Sequence, residues 1–329
     1  MSSEFDSGLF SNGQAAWHGF GNVFQEKIYD TQEAIKQAEM DWTVSLNPLF
    51  TKVDINGQPT SIELKDRKVV VRDDLKLPLG IVSERYVPLQ NIEAFSFFDS
   101  ILHEKECFIS SAVSLSQGKK ICVIVQVEDN IREVVKGDTV MSYLILATSH
   151  DGSMKTVVKF TNIRVVCMNT LVAALHGKGE ARSVRHSKSQ DKQLQEIKGT
   201  IDIYRSRFES EVDLYKKMAN TPMNLEQSRS YLERLFEADL KSLAKKEDIL
   251  LSEVKLEDLR ITKKALQNLT GTPDLLVEGV AGTSWATFNA VTQAIKDKST
   301  NQEKRYDSIW FGVDSALLDK AKYELLARV

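Results

Sequence analysis

Basic side chains at two places in the sequence have the chemistry to bind phosphate groups. Arg164 stands near the start of a strongly apolar stretch, Ile163 to Leu175, that reads as a helix. A guanidinium at a helix N-terminus suits bidentate phosphate recognition, because the helix end adds a partial positive charge. A second basic segment follows, and its candidates for tracking a sugar-phosphate backbone are Arg182, Arg185, His186 and Lys188.

A third candidate combines a cation with an aromatic ring. Arg85 and Tyr86 could present a charge and a stacking face to a nucleotide. Each candidate also has a structural interpretation that the sequence leaves open. Arg164 could instead form an ion pair with an acid such as Asp151. The segment 177–189 could be a solvated linker, and Tyr86 could pack within a sheet.

Motifs for nucleotide or cofactor chemistry are absent from the sequence. It has no Gly-rich phosphate loop ending in Gly-Lys-Ser or Gly-Lys-Thr, no GxGxxG after a strand and no HExxH. His150-Asp151 suggests catalysis, with Ser149 and Ser153 as nucleophiles, but Asp-Gly and Ser are typical turn residues. We therefore expect His150 to cap or decorate the turn. The residues that could meet around zinc match no common spacing; they are Cys107, Cys122, His150, Cys167, His176 and His186. We therefore expect no enzyme, no catalytic residue, no metal and no cofactor.

The elements that would position these side chains follow from the stretch 148–175. Asp151-Gly152 lies between two apolar, β-branched runs and predicts a hairpin turn, because Gly supplies the positive φ that such turns need. Strands are predicted on both sides of the turn. A buried helix from Ile163 is predicted to follow the second strand.

Alternating and apolar runs earlier in the chain predict further strands. The predicted strands cover 42–53, 61–72, 79–88, 107–115, 119–127, 138–148 and 154–160. The first two are predicted to be joined by a turn at Asn56-Gly57. Helices are predicted from Thr31 and over 92–103. The bulky residues expected to face the core from the second helix are Phe95, Phe97, Phe98, Ile101 and Leu102. This order predicts an α+β fold, with a curved antiparallel sheet of hairpins, helices on one face and a helical C-terminal half.

Composition divides the chain into three parts. Residues 1–176 predict an α+β sheet domain, 177–189 a basic loop and 190–329 a mainly helical region. Residues 1–25 show little periodicity and read as an N-terminal arm tucked onto the first domain. The helices predicted in the last part cover 194–218, 225–245 and 252–269, with two more beginning at Ser284 and Ser315.

The overall composition is that of a globular protein with a slightly acidic balance. The 329 residues are 42% hydrophobic and 27% charged, and the net charge is −3. Any contact with nucleic acid must therefore come from a local basic patch. The sequence has neither a run of roughly 20 apolar residues nor a signal-peptide core, so we expect a cytoplasmic protein with no membrane contact. Three cysteines without a CxxC pair favour free thiols.

Five blocks of sequence, in order along most of the chain, resemble an uncharacterised family called phage/plasmid-like protein, a domain of unknown function. The blocks are 79–99, 148–175, 184–189, 283–295 and 309–321. The resemblance implies a phage, prophage or plasmid setting without an assigned reaction. The predicted element order is also similar to the β-β-β-α core of ring-forming single-strand annealing recombinases, which hold DNA in a basic groove.

These observations favour a single-stranded DNA-binding protein that acts as a homo-oligomer, such as an annealing or recombination accessory factor. A second hypothesis is a non-enzymatic interaction protein that inhibits or scaffolds a host defence system, which the acidic net charge and the mixed-charge helices fit equally well. A third is an unrecognised hydrolase or nuclease. Binding to DNA, binding to a host protein and metal-dependent turnover distinguish the three.

Overall fold

A computed structural model gives the architecture of most of the chain. The residues that it describes are 5–13, 21–103, 107–163, 182–198, 201–272, 275–276, 278–296, 317, 320–321 and 323–325. Arg164 and the remainder of the helix predicted from Ile163 lie outside these residues. Ile163 itself ends a strand.

The α+β fold class predicted from the sequence is confirmed. The strands are β1 (Phe5–Phe10), β2 (Asn22–Val23), β3 (Val44–Ile55), β4 (Gln58–Arg72), β5 (Leu77–Ser83), β6 (Cys107–Leu115), β7 (Lys120–Val135), β8 (Asp138–Ser149), β9 (Thr156–Ile163) and β10 (Arg182–Val184). The helices are α1 (Thr31–Gln37), α2 (Asn91–Ser96), α3 (Asp99–His103), α4 (Gln190–Lys198), α5 (Ile201–Asn220), α6 (Leu225–Leu235), α7 (Glu237–Glu247), α8 (Arg260–Gly271) and α9 (Ser284–Lys296).

The chain forms two compact units, each assembled from separate segments. The first contains Met1–Asp129, Ser142–Phe160 and Glu180–Tyr204. The second contains Asn130–Met141, Thr161–Gly179 and Arg205–Val329. Residues 164–181, which include the start of the predicted junction, lie outside the described residues. The linear division at 176 and 189 therefore stays a prediction.

A seven-stranded sheet has the order β10-β9-β8-β7-β6-β1-β2. Every residue of β6 is buried, as expected for a central strand with both faces covered. β1 pairs antiparallel with β6, with Phe10 opposite Ser111, and its Leu9 and Phe10 are fully buried. The N-terminal arm predicted for residues 1–25 therefore contains an interior strand of the sheet.

A second sheet contains three strands in the order β3-β4-β5, so the single curved sheet predicted from the sequence is two sheets. β3 and β4 form the predicted hairpin around Asn56-Gly57. Both turn residues have positive φ, 55° and 81°, which defines the type I′ turn that Asn-Gly favours. β5 pairs antiparallel with β4 from Arg67 to Arg72.

Three helices complete the core of the first unit. α1 begins where the sequence predicts, but its N-cap is Asp30, whose side chain accepts a hydrogen bond from the Glu33 amide at 2.8 Å. α1 and α3 pack against β6. Phe95 of α2 and Phe98 at the start of the next turn are fully buried, which confirms the predicted core-facing aromatic set.

The second unit is mainly helical, which confirms the helical C-terminal half. α8 packs against α9, where the Asn268 side chain donates to the Ala290 carbonyl at 3.2 Å. Trp285 of α9 is buried, and its indole N–H donates to Asp138 Oδ2 at 2.7 Å. Its ring lies 4.9 Å from that of Tyr215 on α5. Aromatic packing therefore organises this helical core.

The Asp151-Gly152 turn between β8 and β9 packs directly on β5. A Cβ atom added at Gly80 would lie 2.5 Å from the Asp151 carbonyl oxygen and 2.7 Å from its Cα. On the other side of the contact, Gly152 has φ of +76°, and an added Cβ would meet Val82 at 2.8 Å. The two glycines let a turn of one sheet approach a strand of the other at backbone distance.

We predict that Gly80→Ala destabilises the first unit by about 1–3 kcal/mol, because the new methyl group would collide with backbone that cannot easily move. Urea unfolding followed by circular dichroism measures this change. Gly271→Ala is the control, since no atom lies within 4 Å of its added Cβ. The control should stay within about 1 kcal/mol of the unmodified chain. Equal stability of Gly80→Ala and the unmodified chain would contradict the close approach.

Candidate nucleic-acid interface

The basic segment predicted from the sequence begins as the edge strand of the seven-stranded sheet. β10 pairs antiparallel with β9, so that Arg182 lies opposite Val158 and Val184 lies opposite Thr156. Val184 is buried in the core, whereas Arg182 is exposed. Arg182 and Val184 lie on the same face of the strand. The segment is therefore anchored at Val184, while Arg182, at the other end of the strand, stays in solvent.

The residues after β10 pack against the corner that follows β5. The Val87 amide donates a hydrogen bond to the His186 carbonyl at 3.2 Å. The rings of Tyr86 and His186 lie 4.7 Å apart between centroids, at an interplanar angle of 31°. Two candidate segments, more than 90 residues apart in sequence, are thus neighbours in the structure.

Tyr86 holds this corner from inside the protein. Its side chain is buried, and its hydroxyl donates to the Ser149 carbonyl at 2.8 Å. Burial, together with the charge of Asp151, raises the pKa of Tyr86 well above its usual range, so the phenol stays protonated as a donor. The environment of Tyr86 therefore supports its structural interpretation, in which the ring packs inside the protein, here against His186.

His186 is a neutral side chain that helps to position its segment. It is only partly exposed, and its Nε2 lies 3.4 Å from Thr148 Oγ1. Burial lowers the pKa of the imidazole, which keeps it neutral near pH 7. A neutral, stacked imidazole cannot serve as a phosphate cation, so His186 orients the segment that carries the neighbouring Arg185.

The cations on this surface are exposed and available. Arg85, Arg182, Arg185 and Lys188 all lie in solvent. Within the described part of the chain, none of these four forms an ion pair. The Tyr86–His186 contact joins the two segments that carry six of the predicted binding residues. The seventh, Arg164, lies outside the described residues.

Pairing of β9 with β10 places a further cation, Lys155, near the basic segment, and sequence reasoning missed it. The paired register ends with Val184 opposite Thr156, and Arg185 and Lys155 are the next residues of the two segments, just beyond the strands. Both are exposed. The signal that associates them is strand pairing between distant segments, which the sequence alone does not reveal.

His150 is a core residue and has no access to solvent. Its Nε2 lies 2.9 Å from Asn91 Oδ1. The Asn91 amide nitrogen donates to the carbonyls of Met40 and Trp42, so Oδ1 must be the acceptor and His150 Nε2 carries the proton. The ring also meets Trp42 edge-on at 5.4 Å. Burial lowers the pKa of His150 to about 3, and the imidazole is neutral at physiological pH.

The polar neighbours of His150 build the turn. Asp151 Oδ1 accepts a hydrogen bond from the Ser153 amide at 2.9 Å. The Ser149 hydroxyl accepts from the Met154 amide and donates to the Met154 carbonyl. The turn chemistry expected for Asp151-Gly152 is confirmed, whereas the expectation that His150 decorates the turn is wrong, because the side chain enters the core.

The candidate zinc residues are dispersed or lie outside the described part of the chain. Cys107 and Cys122 are buried, and burial raises the pKa of the Cys122 thiol. Cys167 and His176 lie outside the described residues. Among the residues that are described, no group of three or more His, Cys, Asp or Glu could hold a metal ion.

Comparison with known families places the chain in a family without an assigned activity. The sequence model described as "Domain of unknown function (DUF932)" matches residues 78–310, which is well over half of the chain, so the protein belongs to that family. No curated protein matches the sequence. No solved structure matches it either. Within the described ranges, no helix combines the length and apolarity needed to span a membrane.

We predict that His150 makes the free energy of unfolding depend on pH. The unfolded imidazole binds a proton near pH 6.5, whereas the folded one resists protonation until about pH 3. Stability that is fully present above pH 6.5 should therefore fall with pH, by about 2 kcal/mol between roughly pH 7.5 and pH 5. Denaturant unfolding at several pH values measures the slope.

His150→Gln separates this effect from all other titrations. The amide can still donate to Asn91 but does not titrate, so the variant should lose about 2 kcal/mol of the pH-dependent change. Carboxylates and His186 titrate in both proteins and cancel in the comparison. Identical slopes for the two proteins would show that His150 is not a buried neutral imidazole.

Proposed function

We propose that the protein binds single-stranded DNA through its phosphate backbone, at the basic edge formed by Arg85, Lys155, Arg182, Arg185 and Lys188. The observation that carries this proposal is the contact of Tyr86 with His186, which joins the segments of Arg85 and Arg185. Both arginines are exposed, and neither forms an ion pair among the described residues. Exposed cations on neighbouring segments are stabilised by an anion. A polyanion satisfies several of them at once.

The chemistry of this edge favours backbone contact over base recognition. Its exposed groups are guanidinium and ammonium ions, while the nearby aromatic rings of Tyr86 and His186 face each other. Phosphate contacts carry no sequence information, so binding is expected to be independent of sequence. The net charge of −3 means that the chain as a whole does not attract DNA, so binding requires a local basic surface such as this edge.

The preference for single strands and the biological setting rest on the sequence resemblance. A phage, prophage or plasmid origin and a likeness to annealing recombinases support an oligomeric accessory factor in DNA annealing or recombination, acting in the host cytoplasm. No cofactor and no chemical step are part of this function. Acceleration of annealing between complementary oligonucleotides is the activity to assay.

We predict binding to a fluorescent oligothymidine that weakens steeply between about 50 and 200 mM salt, because each phosphate contact releases counterions. Fluorescence anisotropy measures the affinity. The double variant Arg185→Gln with Lys188→Gln removes two contacts, so the slope of log K against log salt should become shallower by about 1.4. The affinity at low salt should fall in the same variant.

A second basic cluster supplies a matched control. Arg260, Lys263 and Lys264 line a shallow depression on α8 in the second unit. The double variant Lys263→Gln with Lys264→Gln changes the net charge by the same amount and should leave the slope unchanged. No binding of the unmodified chain at low salt would overturn the proposal and favour the protein-directed hypothesis, as would equal effects of the two double variants.

A further inference from the structure

The hairpin of β3 and β4 extends far beyond the sheet that anchors it. β5 pairs with β4 only between Arg67 and Arg72, whereas β3 and β4 remain paired out to Ile55 and Gln58. We call residues 50–63 the arm. Every residue of the arm is exposed. Because a two-stranded ribbon is at best marginally stable alone in water, a further strand along its edge would stabilise the arm.

One face of the arm carries no charge. Residues directly opposite each other share a face, as do Thr51 with Ile62 and Val53 with Thr60. The exposed fractions of Ile55 and Ile62 are 48% and 45%. A face of mainly β-branched side chains without cations suits a protein partner better than nucleic acid.

The two edges of the arm differ in their capacity to accept another strand. A two-residue type I′ turn closes the hairpin at Ile55 and Gln58, and hydrogen-bonded pairs then alternate with non-bonded ones. Asp54 and Pro59 form a non-bonded pair, so the backbone groups of Asp54 and Lys52 point away from β4. Pro59 has no N–H to offer on the outer edge of β4, which blocks that edge. The outer edge of β3 stays open.

The charges along the open edge have a two-fold pattern. Lys52 and Asp54 flank Val53, with opposite charges at equal distances from it. We propose that the arm pairs with the arm of a second copy of the chain, β3 antiparallel to β3, with Val53 on the two-fold axis. Lys52 then lies opposite the partner's Asp54, and the symmetry repeats this pair.

This register is the one that the charges select. Moving the axis to Lys52 or to Asp54 keeps the backbone groups aligned but places like charges opposite each other, which is unfavourable. With the axis at Val53, the backbone groups that point outward belong to Lys52 and Asp54, the two charged positions. Thr51 lies opposite the partner's Ile55, so the uncharged faces of the two arms join into one.

Existing contacts leave the charged side chains of the arm available. Asp54 Oδ1 accepts a hydrogen bond from the Gly57 amide at 2.7 Å, which stabilises the turn and leaves Oδ2 for a second donor. Lys52 forms no ion pair with any residue in the described part of the chain. The pairing is a strand addition at an exposed edge and is separate from the basic edge around Tyr86.

Charge exchange tests the pairing. We predict that the unmodified chain forms a concentration-dependent dimer between about 5 and 100 µM in sedimentation velocity, and that Lys52→Asp weakens it at least about tenfold, because two aspartates then face the partner's Asp54 residues. Asp54→Lys weakens it likewise. Combining the two substitutions restores opposite charges and should recover the dimer. Lys65→Asp, an equal charge change on β4, is the control and should leave the dimer intact.

Cysteine cross-linking tests the register. Val53→Cys places two thiols across the axis in a non-bonded antiparallel pair, with Cα atoms about 4.5 Å apart, which a disulfide can span. Thr60→Cys lies on the same face of the arm but about 14 Å from its copy, three strand spacings away, and should not cross-link. The unmodified chain, oxidised alongside, accounts for the native thiols. A monomer at all concentrations, no rescue by the double exchange, or equal cross-linking of the two cysteine variants would overturn the proposal.

Discussion

The arrangement of the first unit depends on the buried phenol of Tyr86. Its hydroxyl donates to the Ser149 carbonyl, and its ring stacks on His186. One side chain therefore joins the corner after β5, the end of β8 and the segment after β10. A buried hydroxyl must find an acceptor, so the geometry of this junction has little freedom. The hydrogen bond of this buried hydroxyl therefore fixes the position of the basic edge.

The same junction separates buried polar groups from exposed charged ones. His150 enters the core as a neutral imidazole with Asn91 as its acceptor, and the turn beside it packs on Gly80 at backbone distance. Arg185 directly precedes His186 and is exposed, so the packed junction carries a cation at its surface. This arrangement supports the proposed binding of a polyanion by a protein whose net charge is −3.

Local signals in the sequence predicted the parts of the fold that local chemistry determines. Asn56-Gly57 favours positive φ at two positions, and the hairpin predicted there is confirmed. The turn predicted at Asp151-Gly152, between β8 and β9, is confirmed as well. β1 escaped prediction because Asp6, Ser7 and Gly8 interrupt its apolar pattern, and it becomes a strand only by pairing with β6, about 100 residues away. The nearness of Lys155 to the basic segment and the burial of the His150 side chain likewise depend on contacts between distant segments. The DNA-binding role of the candidate residues stays a prediction.

Photo-cross-linking gives the most direct test of the central claim that one junction gathers the binding cations. An oligothymidine carrying photoreactive bases would be cross-linked to the full chain at low salt and the modified peptides identified by mass spectrometry. The account predicts adducts both on the peptide that contains Arg85 and on the peptides of residues 182–188. The variant Tyr86→Leu, which removes the ring and its hydroxyl, should lose both sets of adducts while the chain still folds. Adducts confined to the helices of the second unit, or unaffected by Tyr86→Leu, would contradict it.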